Sequence, residues 1–470
     1  MNKIIPYIII IASFVISRAH YFINAPLVGF HPDSAVYFMA IEGAYYGELP
    51  KLGIVPPLYP IFLYLSSLLS NNLFLITILQ TSISLLASIF LIFAIQKTIG
   101  KSLFYAIAIS LFYISSHALA FDSMIITESL FVSSLLVVLG LFLLSFSYNR
   151  KSYWTLLSLA LLVPILLRPT AIFFVGFFFV FLIYLYAYKK AFLLSFLLPF
   201  ISVIFLVMVY HSFTIKQPIP NRLLSYTPWV VKNSYNFALS NYQGKDEIYT
   251  SNELTELNRK ADSIRQKLKS EEKFYNKILP LKILVFMNSI SYESRSFYGY
   301  ELPRRCKMFF QEDFLEKNYH GNFLTIRPFG NEFKEIMFRN YLYELPSIKV
   351  TGCNAIKDEA GVITKMYLWF YDNIYMKLIR TKLLVLLVFA SIFLLAYSWF
   401  KKKSFTLIHK FTLLHLSILL LSALVIALSP HNEGSWRYTY PTEFIYFLNL
   451  VSVIQILIHD NYLKLKNAPK

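Results

Sequence analysis

Residues 169–210 read PTAIFFVGFFFVFLIYLYAYKKAFLLSFLLPFISVIFLVMVY. Two apolar runs, 169–188 and 191–210, are separated by Lys189 and Lys190. A hydrocarbon core takes roughly 20 apolar residues in a helix, so each run predicts a membrane span. Paired lysines in so short a connection predict a cytoplasmic turn.

The same pattern extends in both directions. It predicts spans at 4–23, 73–96, 102–121, 126–148, 153–167, 169–188, 191–210, 381–400, 405–429 and 442–459. With the N-terminus in the cytoplasm, the inner connections carry Lys97 and Lys101, Arg150 and Lys151, Lys189 and Lys190, and Lys401 to Lys403. The tail, also cytoplasmic, adds Lys464 and Lys466, while the short outer connections hold Arg168 and Arg437 as strong bases. The opposite orientation would invert the bias at every short loop. The span 153–167 is short and contains Pro164, but merging it with its neighbour would put every later lysine cluster on the wrong side. The expected fold is an α-helical polytopic membrane protein of about ten transmembrane helices.

Composition agrees. The chain is 57% hydrophobic and 15% charged, where soluble domains carry about a quarter charged residues. Its net charge of +18 lies largely in short loops and sets orientation, so no nucleic-acid partner is expected. The apolar stretch after Lys3 is long for a signal peptide and lacks a small-residue cleavage site, so it is read as a retained span. Only 14 glycines and no glycine-rich phosphate loop argue against a nucleotide-binding domain.

Three regions follow: an N-terminal transmembrane module at 1–210, an exported soluble domain at 211–380 of α/β or mainly α type, and a C-terminal transmembrane module at 381–470. Within the first outer loop, 34–47 has the spacing of an interfacial amphipathic helix, and 57–70 is short for a span and lies at the surface or re-enters. In the exported domain, 251–279 predicts a solvent-facing helix and 282–290 a strand. Cys306 and Cys353 both fall there; a disulfide suits an oxidising compartment, and two separate thiols are the alternative.

Asp33, Asp122, Glu128, Arg168, Glu433 and Arg437 each lie at the edge of an apolar run, and the predicted threading puts all six on the outer face. Each has an ordinary explanation. Asp33 could cap a helix, Glu128 could answer a helix dipole, and the arginines could snorkel to headgroups. Their shared face marks them as a candidate site, because ionisable groups at membrane level are costly unless used. A sugar on a polyprenyl phosphate is an activated donor within reach of such a site. Arginines would stabilise the departing phosphate, and a carboxylate would deprotonate an acceptor hydroxyl. Tyr59 and Tyr438 are candidate phosphate hydrogen-bond donors, with an aromatic belt as the alternative. His31 and His431 could join Asp33 around a divalent metal, but the expected site uses cationic side chains and no cofactor.

These motifs resemble those of GT-C-type glycosyltransferases, the superfamily of protein O-mannosyltransferases and the aminoarabinose transferase of lipid A. Asp33-Ser34-Ala35-Val36-Tyr37 is similar to the first-loop acidic motif, followed by Pro56-Pro57-Leu58-Tyr59-Pro60. Thr127-Glu128-Ser129-Leu130 resembles the second outer acidic motif, Arg168-Pro169-Thr170 a boundary between spans, and Arg437-Tyr438 with Pro441 the last outer loop. The resemblance covers about 1–190 and the final spans. It implies that Asp33 is the general base, that Glu128 supports the acceptor or the base, and that Arg437 contacts the donor phosphate. Relatives often have Asp-Glu where this chain has Asp33-Ser34, and no Trp-Trp-Asp motif is present. The expected partners are a polyprenyl-phosphate-linked sugar, a lipid, glycan or protein acceptor, and membrane lipids. The expected location is the bacterial inner membrane, with both termini cytoplasmic and the active site periplasmic. The alternatives are a surface-glycan polymerase or ligase, a lipid or glycan transporter, and a receptor-like scaffold.

Overall fold

A computed structural model describes residues 3–24, 37, 40, 56–69, 74–114, 118, 121–122, 124–215, 383–402, 405–428 and 435–466. Among them the regular elements are helices, with no strand. In chain order these are α1 (Ile5–Asn24), α2 (Leu58–Leu69), α3 (Phe74–Thr98), α4 (Ser102–Tyr113), α5 (Glu128–Tyr148) and α6 (Lys151–Leu167). They continue with α7 (Phe173–Tyr188), α8 (Leu193–Ile215), α9 (Leu383–Lys402), α10 (Leu407–Leu428) and α11 (Ser435–Lys466). Short 3-10 turns at Pro169–Ile172 and Lys190–Phe192 lead into α7 and α8.

Each predicted span falls on a helix. Those at Leu75–Thr98, Glu128–Tyr148, Thr170–Tyr188, Lys190–Val209 and Leu407–Leu424 are long and apolar enough to cross a membrane. The described apolar helices on the other predicted spans are shorter: Ile5–Arg18, Ser102–Tyr113, Lys151–Leu167, Leu386–Phe400 and Glu443–Ile458. Of the insertion 211–380, only the end of α8 is described. The predicted helix at 251–279, the strand at 282–290 and both cysteines lie outside the described residues. One boundary is corrected. α11 begins at Ser435, not 442, because hydropathy marks only the apolar part of a helix, while the polar turn before it hydrogen-bonds its backbone equally well.

The turns have local causes. Gly100 (φ 78°) and Lys101 (φ 52°) both take the left-handed conformation between α3 and α4, and Gly100 has no Cβ to oppose it. α6 runs through Pro164 and stops at Arg168, whose backbone is extended (φ −145°, ψ 135°). Pro169 disfavours a helical residue before it, so the predicted break between two spans falls at that bond.

α5 is the central helix: 89% of its apolar window is buried, against 11% for α8. It packs chiefly on α3 and α6; α1 lies on α4, α8 on α6, and α11 on α10 and α4. Leu194, Leu198, Ile201, Phe205 and Leu206 of α8 are exposed. Continuous apolar surface on a helix of this length is the outer wall of a helical membrane protein. Polar contacts fasten α11 within the bundle: Asn449 Nδ2 donates to Ser391 Oγ on α9 (2.8 Å), and the Tyr105 hydroxyl on α4 meets Ser452 Oγ (2.9 Å) and Gln455 Oε1 (3.2 Å).

α3 and α5 approach closely at Gly140. A Cβ there would stand 2.7 Å from Cε1 of Phe90 and 3.5 Å from Cβ of Ala94. Gly140→Leu is expected to wedge the two helices apart at a cost of about 1–3 kcal/mol, read as a lower thermal midpoint in detergent. Gly140→Ala is expected to cost less, because the half-buried Phe90 ring has room to turn.

Candidate active site

Arg18, near the C-terminal end of α1, is buried, and its guanidinium pairs with the Asp122 carboxylate. Its Nη1 also donates to the Tyr113 carbonyl (2.6 Å) and to Ser17 Oγ (2.8 Å). The rings of Phe14 and Tyr113 flank it, with centroids 4.6 and 5.4 Å from Cζ. The other carboxylate oxygen of Asp122 accepts from Ser129 Oγ (2.5 Å) and Ser84 Oγ (3.1 Å). Ser84 in turn lies 3.2 Å from Ser129 Oγ and 3.1 Å from Ser133 Oγ. Asp122 thus ties together α1, α3 and α5. These contacts offset part of the desolvation of a buried ion pair, although Arg18 Nε is buried without a hydrogen-bond partner.

A second pair stands on the same helix end. Glu128, the first residue of α5, is fully buried, and its Oε1 lies 3.4 Å from Arg168 Nη1. An acid suits this place, because the helix N-terminus carries partial positive charge. Thr127 Oγ1 donates to Glu128 Oε2 (3.3 Å), and the Arg168 guanidinium lies 5.5 Å from the Phe131 ring centroid.

Tyr59 of α2 reaches the same region through Gln80 of α3. The Tyr59 hydroxyl donates to Gln80 Oε1 (2.8 Å), while Gln80 Nε2 donates to the carbonyls of Asp122 (3.0 Å) and Met124 (2.8 Å). The Tyr59 ring meets Tyr37 edge-on at 4.7 Å. Burial first, then the nearby Tyr37 and Glu128, push the Tyr59 phenol well above its ordinary value, so it acts as a hydroxyl donor.

These groups come from the C-terminal ends of α1, α4 and α6 and the N-terminal ends of α3 and α5, so they share one end of the bundle. At the opposite end the Tyr7 hydroxyl donates to Gln96 Oε1 (2.7 Å) and Lys189 Nζ to Asn149 Oδ1 (2.6 Å). The described cluster sets two carboxylates against two guanidinium groups.

Of the predicted site residues, Asp122, Glu128, Arg168 and Tyr59 are brought together in this cluster. Arg437 and Tyr438 stand in the first turn of α11 instead of in a loop before it, for the reason given above. Asp33, His31, His431 and Glu433 lie outside the described residues. Among the described residues no three His, Cys, Asp or Glu side chains converge as metal ligands. Sequence reasoning missed Arg18 and Gln80. A single arginine near the end of an apolar run is ordinarily a snorkelling residue, and the available signal was its place beside Ser13 and Ser17 on a helix otherwise free of charge.

No family model matches the chain, and no curated protein is similar to it. Among solved structures, the apo crystal structure of the Archaeoglobus fulgidus oligosaccharyltransferase aligns with a TM-score of 0.46 and 13% identity, over 99% of this chain and 52% of that one. This chain thus spans about half the length of that protein. At a TM-score below 0.5 the likeness supports neither a family nor an activity.

Proposed function

We propose that the chain is an inverting glycosyltransferase of the bacterial inner membrane. It moves a sugar from a polyprenyl-phosphate-linked donor to an acceptor hydroxyl on the periplasmic face. The observation that carries this reading is the gathering of Asp122, Arg18, Glu128, Arg168 and Tyr59 at the bundle end opposite the lysine-bearing turns. Groups that cost this much to bury at a membrane boundary are kept where they are used.

In the proposed reaction Asp33 takes the acceptor proton as the acceptor oxygen bonds to the anomeric carbon. The bond from that carbon to the phosphate oxygen breaks, and its electron pair leaves with the phosphate. Glu128 and Arg168 hold the wall of the site, and Arg437 supplies a cation for the departing phosphate. The insertion 211–380 shapes acceptor choice. The experiment is to incubate the full-length protein in detergent with polyprenyl-phosphate hexoses and pentoses and envelope extracts, following polyprenyl phosphate release by mass spectrometry. Release with inversion at the anomeric carbon is expected. Use of diphosphate-linked oligosaccharides alone would make the chain a polymerase or ligase.

One observation favours a second reading. The Asn449–Ser391 contact of α11 with α9 joins the middles of both helices inside the bundle, and transporters place polar groups there. Sugar transfer by protein in detergent, with no second compartment, would set transport aside.

A further inference from the structure

At the lysine-bearing end, three helix termini meet: the last turns of α5 and α7 and the first turn of α10. Lys410 of α10 holds its ammonium group 5.2 Å from the Phe146 ring centroid and 6.0 Å from that of Tyr184. Lys189, just past α7, donates to Asn149 Oδ1 (2.6 Å), and Lys190 stands 5.2 Å over Tyr186. Desolvation first, then the charge of Lys410, lowers the Lys189 pKa from its usual value, so the two cations feel each other.

Within 74–215 and 383–428 the only acids are Asp122 and Glu128, both at the far end of the bundle, while α11, packed on α10, carries Asp460 in its C-terminal half. Two neighbouring ammonium groups, with no carboxylate on α7 or α10, favour an anion placed beside them. Tyr186 and Tyr188, and after them along the chain Leu194 and Leu198 of α8, are exposed and offer an acyl chain apolar surface. A phosphate held at a span terminus, with apolar surface leading from it towards mid-membrane, is the geometry of a phospholipid.

We propose that Lys189 and Lys410, framed by Asn149, Phe146 and Tyr184, form a binding site for the headgroup phosphate of an anionic phospholipid. The site is independent of the proposed activity. It is tested by native mass spectrometry of the full-length protein titrated with phosphatidylglycerol, phosphatidylcholine or inorganic phosphate. Wild type is expected to retain phosphatidylglycerol in preference to phosphatidylcholine, with inorganic phosphate at millimolar concentration failing to displace it. The Lys189→Gln/Lys410→Gln variant is expected to weaken that retention by about thirtyfold, from the usual contribution of two lysines at an anionic surface. Lys189→Arg/Lys410→Arg, which keeps both charges, and Lys97→Gln/Lys101→Gln, at another turn, are expected to retain it. Equal retention by the double glutamine variant, equal binding of phosphatidylcholine, or displacement by inorganic phosphate would each overturn the proposal.

Discussion

Arg18→Ala is expected to destabilise the protein by about 3–5 kcal/mol, the cost of leaving one member of a buried ion pair without its partner. The loss would not stop at one contact. Asp122 also holds Ser84 and Ser129, and its backbone carbonyl receives Gln80, so an uncompensated carboxylate would disturb α3, α5 and the link to Tyr59. Asp122→Asn keeps the shape and most hydrogen bonds but leaves the guanidinium unmatched, and it is expected to cost less than Asp122→Ala. Arg18→Met with Asp122→Leu removes both charges, and it should recover much of the stability lost in either single change. Denaturant unfolding in detergent micelles, run as a double-mutant cycle, measures all four. Full stability of Arg18→Ala would show that the pair does not hold the bundle end together.

Asp33→Asn is expected to leave folding intact and lower turnover by about 10²–10⁴, the range for losing a general base. Asp33 precedes by four residues Tyr37, whose ring packs against Tyr59, and Tyr59 is close enough to Glu128 to feel its charge. The proposed base role asks of Asp33, which lies outside the described residues, only a carboxylate that accepts a proton. That separates it from Glu128, whose carboxylate already faces Arg168, so Glu128→Gln is expected to reduce stability and activity together. The two variants therefore part when kcat and the unfolding midpoint are measured side by side. Undiminished turnover by folded Asp33→Asn would exclude the base role, and Glu128 would then be the carboxylate to test.

The ten apolar stretches were legible because a membrane imposes length and charge bias together. Lys97, Lys189 and their neighbours each mark a turn that the helices make. The break at Arg168-Pro169 was legible for a different reason, since proline restricts the residue before it. Asp122, Glu128 and Arg168, each read at the edge of an apolar run, gather at one end of the bundle. Which of them pair was not legible, because Arg18 and Asp122 are 104 residues apart and no local periodicity links them. Arg18 itself vanished into the average hydropathy of its run, as did Gln80, whose amide spans three backbone carbonyls if the long contact to Phe121 (3.5 Å) is counted. Short polar side chains inside apolar helices carry the site's architecture, and a window average is blind to them.

The slight burial of α8 has a mechanical consequence. α5 is buried along most of its length, whereas α8 leans on α6 and the middle of α7 and leaves most of its remaining surface exposed. Force applied at Ile215, the last residue of α8, reaches the core through one narrow seam. Such a helix acts as a mast stepped against a hull: load on it twists the mast before it strains the frame. The frame that holds Glu128 and Arg168 in place is thereby spared.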